Sequence, residues 1–224
     1  YIMGENSVLS DPNATRTKAA LEKLEFLIVQ DIFMSETADL ADVVLPAACF
    51  AEKDGTFTNT ERRIQKLSKA LNPPGEARAD WEIICSISEK MGYPMQYNHP
   101  AIIMEEIASL TPIYAGVSYS RLGKNGLQWP CTSSSHPGTL YLHKDKFTRG
   151  KGRFYPALYK PPEELPDEEY PFILSTGRVL FHFHTGTMTR KVKSISQIYP
   201  EGLVEINPDD AGLLNVSQGE IVRV

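Results

Sequence analysis

The chain is poor in cysteine, lacks a basic surplus and contains no long apolar run, and each shortage removes a class of function. Its three cysteines, Cys49, Cys85 and Cys131, are widely separated and form no C-x-x-C pair. Iron–sulfur ligation needs closely spaced thiolates, so these read as reduced core or surface thiols. With 23 Lys and Arg against 28 Asp and Glu, the formal charge is −5, whereas a nucleic-acid binder carries a basic surplus or stripe. An anionic ligand must therefore be met by local positive charge. No apolar stretch reaches the roughly 20 residues that cross a bilayer, and no signal peptide opens the chain, so it reads as a soluble piece without a membrane span. It starts at Tyr1 without an initiator methionine and stops at Val224 inside an apparent strand, so both ends are expected to be cut from something larger.

What is present is enough apolar material for a sizeable core: 42% of 224 residues, a length that suggests one or two domains. Residues 1–4 read as the end of a strand, followed by a polar loop in which Asp11-Pro12 starts a helix over 14–24. The short apolar run at 26–29 predicts a strand buried on both faces. Ser35 and Thr37 are expected to cap a short helix, and residues 43–45 form the next strand, ended by Pro46. Strands alternating with amphipathic helices predict an α/β fold with a doubly wound parallel sheet, whose ligands sit at the carboxyl ends of the strands. A helix is predicted from Asp80, with Trp81, Ile84, Cys85 and Ile87 inward and Met91-Gly92 closing it. Another covers 100–110, with Ile102, Ile103, Ile107 and Leu110 on one face.

Periodicity fails beyond residue 110. Residues 111–169 are rich in Pro, Gly and Ser and read as an irregular, solvated connecting segment. It carries a basic stretch (Lys144, Lys146, Arg149, Lys151, Arg153) and then an acidic one (Glu163, Glu164, Asp167, Glu168, Glu169). The domains expected are thus 1–110, the connection 111–169, and a β-rich unit over 170–224. In that last unit residues 172–175, 202–206 and 220–224 read as strands. Asn207 caps a short helix with Pro208 in its first turn, ending before Asn215.

The densest chemistry is LSTGRVLFHFHTGTMTRK (residues 174–191), an apolar strand breaking into glycines, hydroxyls, histidines and basic side chains. Gly177 and Gly186 let backbone N–H groups approach an anion, Thr176, Thr185, Thr187 and Thr189 supply hydroxyls, and Arg178, Arg190 and Lys191 supply charge. A solvated loop after an edge strand has the same composition. His182 and His184 differ by two, so on an extended segment they face one side; no third ligand stands at a spacing suited to a metal. Gly4 and Asn6 follow the first strand, where a plain turn is the simpler reading. Gln30 and Asp31 follow the apolar strand at the equivalent place, where a carboxylate can accept from the N1–H and 2-amino edge of guanine or cap the next turn. Lys53 offers an ammonium to a phosphate or pterin oxygen, and Arg62 or Arg63 a bidentate contact, although charged loop residues are usually solvated. Asp80 reads by default as a helix N-cap.

The 174–191 string resembles the segment by which molybdopterin oxidoreductases hold the guanine-dinucleotide cofactor. YIMGEN (1–6), LIVQDIFMSETADLADVVLP (27–46), EKDGTFTNTERRIQ (52–65), ARADWEII (77–84), LQWPC (127–131) and DEEYP (167–171) follow in the order of that superfamily. They are most similar to the catalytic alpha subunit of molybdenum- or tungsten-dependent formate dehydrogenase, of which the chain resembles a C-terminal part. The resemblance implies a doubly wound domain followed by the start of a double-psi β-barrel. It implies a metal, molybdenum or tungsten, held by two molybdopterin guanine dinucleotides, with formate oxidised to carbon dioxide. The 4Fe-4S cluster and the metal-ligating cysteine or selenocysteine would belong to an earlier part of the subunit. Partner subunits carrying iron–sulfur or flavin groups would take the electrons, in the cytoplasm.

By the same resemblance Asn6, Gln30, Asp31, Lys53, Asp80, Thr176, Gly177, Arg178, His182, His184 and Thr185 would bind cofactor, Asp80 holding guanine, and no residue here would be catalytic or a metal ligand. In the superfamily the lysine of the EK-x-G pattern also lies in the electron path from cluster to pterin. The chain alone would be inert. A nitrate reductase of the same superfamily and a non-catalytic domain of that fold are the alternatives; apolar residues at 31, 53 or 178 would mark the latter, and all three are polar.

Overall fold

A computed structural model describes residues 1–223. The chain divides into two units, Tyr1–Leu165 and Pro166–Val224. Among the described residues no helix is long and apolar enough to cross a membrane.

The first unit begins with β1 (Ile2–Met3), α1 (Ser7–Ser10), α2 (Ala14–Leu21), β2 (Ile28–Asp31) and β3 (Val43–Pro46). The strands form a parallel sheet in the order β1-β2-β3, with Val29 opposite Ile2 and Val44. Parallel strands need helical crossovers, which α1–α2 and the 3-10 turn Ala38–Leu40 supply. Leu27, Val29 and Ala38 form the core beside this sheet, with Ile2, Leu21 and Val44 packed on it.

The central strand lies further along the chain than its apolar run predicts. Phe26 is 60% exposed, and the Leu27 N–H is taken by the Asp42 carboxylate at 2.7 Å. Ladder pairing to β3 starts at Ile28 and runs through Gln30 to Asp31, so two polar residues complete the strand. The helix α2 starts from Asn13, whose side chain accepts the Arg16 N–H at 3.1 Å, and stops at Leu21 rather than 24. Ser35 accepts the Ala38 N–H at 3.2 Å as expected, whereas the Thr37 hydroxyl turns to Val8 and Asn6.

A second sheet, absent from the sequence reading, joins β4 (Gly55–Thr58), β5 (Arg63–Leu67) and, later in the chain, β6 (Leu127–Gln128) as antiparallel strands. Between β5 and β6 lie α3 (Asp80–Lys90), α4 (Pro100–Leu110) and the single turn α5 (Tyr119–Leu122). The N-cap of α3 is Ala79, with Asp80 the first helical residue, and the side chain it buries is Ile83. In α4 the buried residue is Met104, while Ile102, Ile107 and Leu110 keep much of their surface. Its first turn is capped by His99, whose Nδ1 accepts the Ala101 N–H at 3.0 Å.

Part of the segment read as a solvated connection lies in a core. Val117, Leu122 and Cys131 are buried with Ile64 and Met104. Besides the short α5 and β6, two arginines tie its loops together. The Arg121 guanidinium donates to the carbonyls of Gly116, Ser133 and His136; Arg62 donates to those of Trp129, Thr139 and Leu140 and lies over the Trp129 ring. A forked planar cation can satisfy several turn carbonyls at once. A Cβ at Gly116 would stand 2.0 Å from the Ser133 carbonyl oxygen, so only glycine fits there. From about residue 140 to 165 the chain carries no helix or strand.

The second unit contains a 3-10 turn at Thr189–Lys191, then α6 (Lys193–Ile198) and α7 (Pro208–Leu214). As predicted, Asn207 caps α7 by accepting the Asp209 N–H at 2.8 Å and the helix ends before Asn215, which takes the left-handed conformation. The strands expected at 172–175 and 202–206 are not formed, and residues 220–223 are likewise not a strand; Val224 lies outside the described residues. Extended backbone becomes a strand only when its amides and carbonyls meet a partner ladder, and no ladder forms among the described residues of this unit.

Candidate functional site

Polar side chains from four separate stretches meet at the parallel sheet, Tyr1 from the amino end of β1 and the others towards the carboxyl edge. Gln30, on the central strand, is 0% exposed. Its Oε1 accepts the Tyr1 hydroxyl, and its Nε2 donates to Asp80 Oδ1 at 2.6 Å. The other Asp80 oxygen, Oδ2, accepts from Lys53 Nζ. A connected row thus runs Tyr1–Gln30–Asp80–Lys53. Burial raises the Tyr1 phenol above its usual pKa, and the charge of Asp80 raises it further.

The Lys53–Asp80 pair is built by local structure on both sides. Asp80 opens an 11-residue helix, where the dipole favours a carboxylate. Lys53 directly follows the 3-10 turn Phe50–Glu52, itself fixed by the Glu52 carboxylate accepting the Cys49 N–H at 2.9 Å. The two side chains remain 22% and 31% exposed. A partly exposed ion pair contributes on the order of 1 kcal/mol to stability.

Asp31 sits one residue further out on the same edge. Its Oδ1 accepts the N–H groups of Ile32 at 2.6 Å and Phe33 at 3.2 Å, the turn-capping use anticipated for it. Its Oδ2 has no protein donor among the described residues. Asn6 is spent on the fold: Oδ1 accepts the Thr37 N–H at 3.2 Å and hydroxyl at 2.8 Å, and Nδ2 donates to Glu36 at 2.7 Å. This ties the loop after β1 to the loop after β2.

Beside Lys53 and Asp80 opens a cavity of about 200 Å³ lined also by Gly55, Trp81, Met104 and Tyr119. The Tyr119 hydroxyl is buried without a hydrogen-bond partner. Burial, then the charge of Asp54, raises its pKa. Sequence reasoning missed both tyrosines as site residues, because Tyr119 stands in no motif and Tyr1, although it opens YIMGEN, meets Gln30 only through the sheet.

In the second unit the two histidines separate. His182 is 5% exposed; its Nε2 faces the Tyr199 carbonyl at 2.8 Å and its Nδ1 the Thr189 hydroxyl at 3.0 Å. A carbonyl only accepts, so Nε2 carries a proton. His184 is exposed at φ 50°, a left-handed residue that breaks the extended path. The expectation that both rings face one side fails for that reason. Thr176, Gly177 and Arg178 are exposed. Thr185 is also exposed, its hydroxyl 3.4 Å from that of Thr187. Gly186, at φ 78°, lies under Arg190, with a Cβ there only 2.8 Å from the arginine stem. Arg190 itself donates to the Pro200 carbonyl at 3.1 Å. Among the described residues no group of three or more His, Cys, Asp or Glu is placed to hold a metal ion.

Comparison with known proteins adds what geometry cannot. The chain is 54% identical over its whole length to the F420-dependent formate dehydrogenase subunit alpha of Methanocaldococcus jannaschii, of which it covers 34%. It is 47% identical to the probable oxidoreductase YjgC of Bacillus subtilis, covering 23% of that protein. The chain thus spans about a third or less of the curated relatives it matches. Among solved structures, acetylene hydratase from Pelobacter acetylenicus superposes with a TM-score of 0.68 over 97% of this chain and 32% of the other, at 20% identity, which supports the fold alone. Residues 1–90 match the family Molybdopterin oxidoreductase and residues 172–224 the Molydopterin dinucleotide binding domain. With the parallel sheet and its polar carboxyl edge in place, these matches mean that the chain belongs to the molybdopterin oxidoreductase family.

Proposed function

We propose that this chain serves the catalytic subunit of a formate dehydrogenase by holding the nucleotide and pterin arms of two molybdopterin guanine dinucleotides. The observation that carries the reading is the free Asp31 Oδ2, at the carboxyl edge of the parallel sheet that also carries the Lys53–Asp80 pair. In open α/β sheets that edge is where nucleotides bind.

The residues fit such a group by their chemistry. A carboxylate oxygen accepts from the N1–H and 2-amino edge of guanine, and an ammonium pairs with a phosphate. The cavity beside them is lined by Trp81 and holds an unpartnered Tyr119 hydroxyl. In the second unit Thr176, Gly177, Arg178, His184 and Thr185 are exposed and supply hydroxyls, backbone N–H groups and a guanidinium suited to phosphate and pterin oxygens. Asn6, Gln30 and His182 act one layer back, shaping the loops and partners that touch the ligand. The functional division on this reading is 1–110 and 170–224, joined by 111–169.

When bound, the cofactor with molybdenum or tungsten would supply the two-electron redox chemistry that converts formate to carbon dioxide. The residues of this chain bind and orient it; none acts as acid, base or metal ligand. Protein around a cofactor works by fixing its reactive centre in position, and rigid elements do that better than loops. The 4Fe-4S cluster, the metal-ligating residue and the electron-accepting subunits would lie in the remainder of the enzyme.

The test is an intact-mass, metal and guanine-nucleotide analysis of the purified protein that contains this sequence, followed by a formate-oxidation assay. Molybdenum or tungsten, with two guanine nucleotides per subunit and formate-dependent reduction of an acceptor dye, is the expected result. A protein that purifies folded with neither metal nor guanine nucleotide, under conditions where a known family member loads both, overturns the proposal.

A further inference from the structure

We infer that the turn at Phe147–Gly150 and the residues following it form a second ligand site, which takes a free nucleotide: a small molecule with phosphate groups and a flat ring. The site shares no residue with the Tyr1–Gln30–Asp80–Lys53 row or with residues 174–191, and it does not depend on the cofactor proposal. Local sequence builds it. The Gly150 N–H donates to the Phe147 carbonyl at 2.8 Å, and Gly150 takes φ 94°, a conformation that glycine adopts without strain. Gly152 brings the returning backbone against the Phe147 ring, where a Cβ would stand 2.9 Å from a ring carbon. The His143 ring packs 5.3 Å from the same phenyl ring. Between these groups lies a concavity of about 690 Å³, a size suited to small ligands.

Two arginines converge on this concavity. Arg149 Nη1 donates to the Tyr155 hydroxyl at 3.3 Å, and the Arg153 guanidinium lies over the same ring, 4.9 Å from its centroid. Both line the concavity together with His143, Thr148 and Phe154, whereas no Asp or Glu lines it. Neither arginine has a carboxylate partner among the described residues. Like charges gathered at one ring repel each other, and a phosphate bound between them replaces that repulsion with charge-assisted, bidentate hydrogen bonds. Phe154, 100% exposed, and Phe147 present flat apolar faces on which a base stacks. An acidic peptide would satisfy the arginines without calling for a concavity walled by aromatic rings. The formal charge of −5 disfavours nucleic acid.

The experiment titrates ADP, pyrophosphate and adenosine calorimetrically into the purified protein that contains this sequence, with every group it purifies with left in place so that sites already filled stay filled. Saturable binding of ADP is expected, with pyrophosphate about tenfold weaker for want of the stacked ring and adenosine about 100-fold weaker for want of the phosphates. Arg149→Gln and Arg153→Gln should each weaken ADP and pyrophosphate by about tenfold, while Phe154→Ala should weaken ADP by about fivefold and leave pyrophosphate unchanged. All three side chains are exposed, so the variants should keep the wild-type thermal midpoint. Absence of saturable ADP binding by the folded protein overturns the inference, as does wild-type ADP affinity in both arginine variants. Saturable binding of a polyglutamate peptide or a single-stranded oligonucleotide without binding of ADP overturns it in favour of a macromolecular partner.

Discussion

Replacing Arg121 with alanine should loosen the Cys131 region far more than its position in a single helical turn suggests. The guanidinium donates to the carbonyls of Gly116, Ser133 and His136, and lies 3.3 Å from the Cys131 sulfur. A hydrogen bond from a charged donor is worth about 1.5–3 kcal/mol net, and less where water can replace it. Arg121 is half-buried, so roughly 1 kcal/mol per carbonyl, or about 3 kcal/mol in all, is the reasonable magnitude. The carbonyls stay in place in the variant, unpaired or rehydrated. The amides of Gly116 and Cys131 report the loss, because they close the same turn by bonding to Cys131 and Ile113 carbonyls at 2.7 Å. Where local opening governs exchange, hydrogen–deuterium exchange at those two amides should accelerate by about 100-fold, since each 1.4 kcal/mol is tenfold. Arg121→Lys should recover little, as one ammonium nitrogen cannot reach the positions that the guanidinium serves from two separate nitrogens, Nη1 to Gly116 and Ser133 and Nη2 to His136. Exchange within threefold of wild type in Arg121→Ala would refute the view that this side chain, rather than the apolar cluster alone, orders the segment.

Four other outcomes are expected. Asp31→Asn should weaken GDP binding to the complete, cofactor-free subunit in a calorimetric titration, because the carboxylate whose Oδ1 accepts the Ile32 and Phe33 N–H groups loses its charge and its second oxygen becomes a donor. His182→Ala should cost about 2 kcal/mol through the unpaired Tyr199 carbonyl and Thr189 hydroxyl, whereas His184→Ala, at an exposed site, should cost under about 0.5 kcal/mol; exchange protection of residues 182–199 distinguishes them. Gly116→Ala should be poorly tolerated, with reduced soluble yield, because its Cβ would meet the Ser133 carbonyl oxygen at 2.0 Å. The Tyr119 phenol has its pKa raised in the fold by burial and then by Asp54. The folded state therefore holds that proton longer than the unfolded chain, and stability should be flat below the unfolded value of 10.0 and fall as the pH rises beyond it. Denaturation midpoints measured from pH 8 to 11 should show this, and Tyr119→Phe should flatten the fall.

The sheet and the helices that were legible are those whose local pattern and tertiary partner agree. Residues 100–110 have a proline at the start and an uninterrupted helical pattern, and form α4 over those residues. Residues 207–215 carry both cap signals and fold accordingly. The central strand was misplaced by two residues because apolarity marked 26–29, whereas pairing with β1 and β3 selects 28–31. The strands expected at 172–175 and 202–206 show the converse: suitable composition without a ladder gives no strand. The second sheet was not legible, since β5 (Arg63–Leu67) has three polar residues in five and earns its place only by pairing on both sides.

At the candidate site the residue types could be read from the chain: a carboxylate and an amide after a buried strand, a lysine before a glycine turn, an aspartate at a helix start, and the family to which these strings belong. Which of these groups stay free depends on how the chain folds. Nothing in the order Gln30, Asp31, Lys53, Asp80 tells that Gln30 reaches across 50 residues to Asp80, that Tyr1 closes the row, or that Asn6 is consumed by Thr37 and Glu36. Local pattern sets backbone conformation, which is short-ranged, but hydrogen-bond satisfaction of a buried polar group is settled by whatever the folded sheet brings within about 3 Å of it.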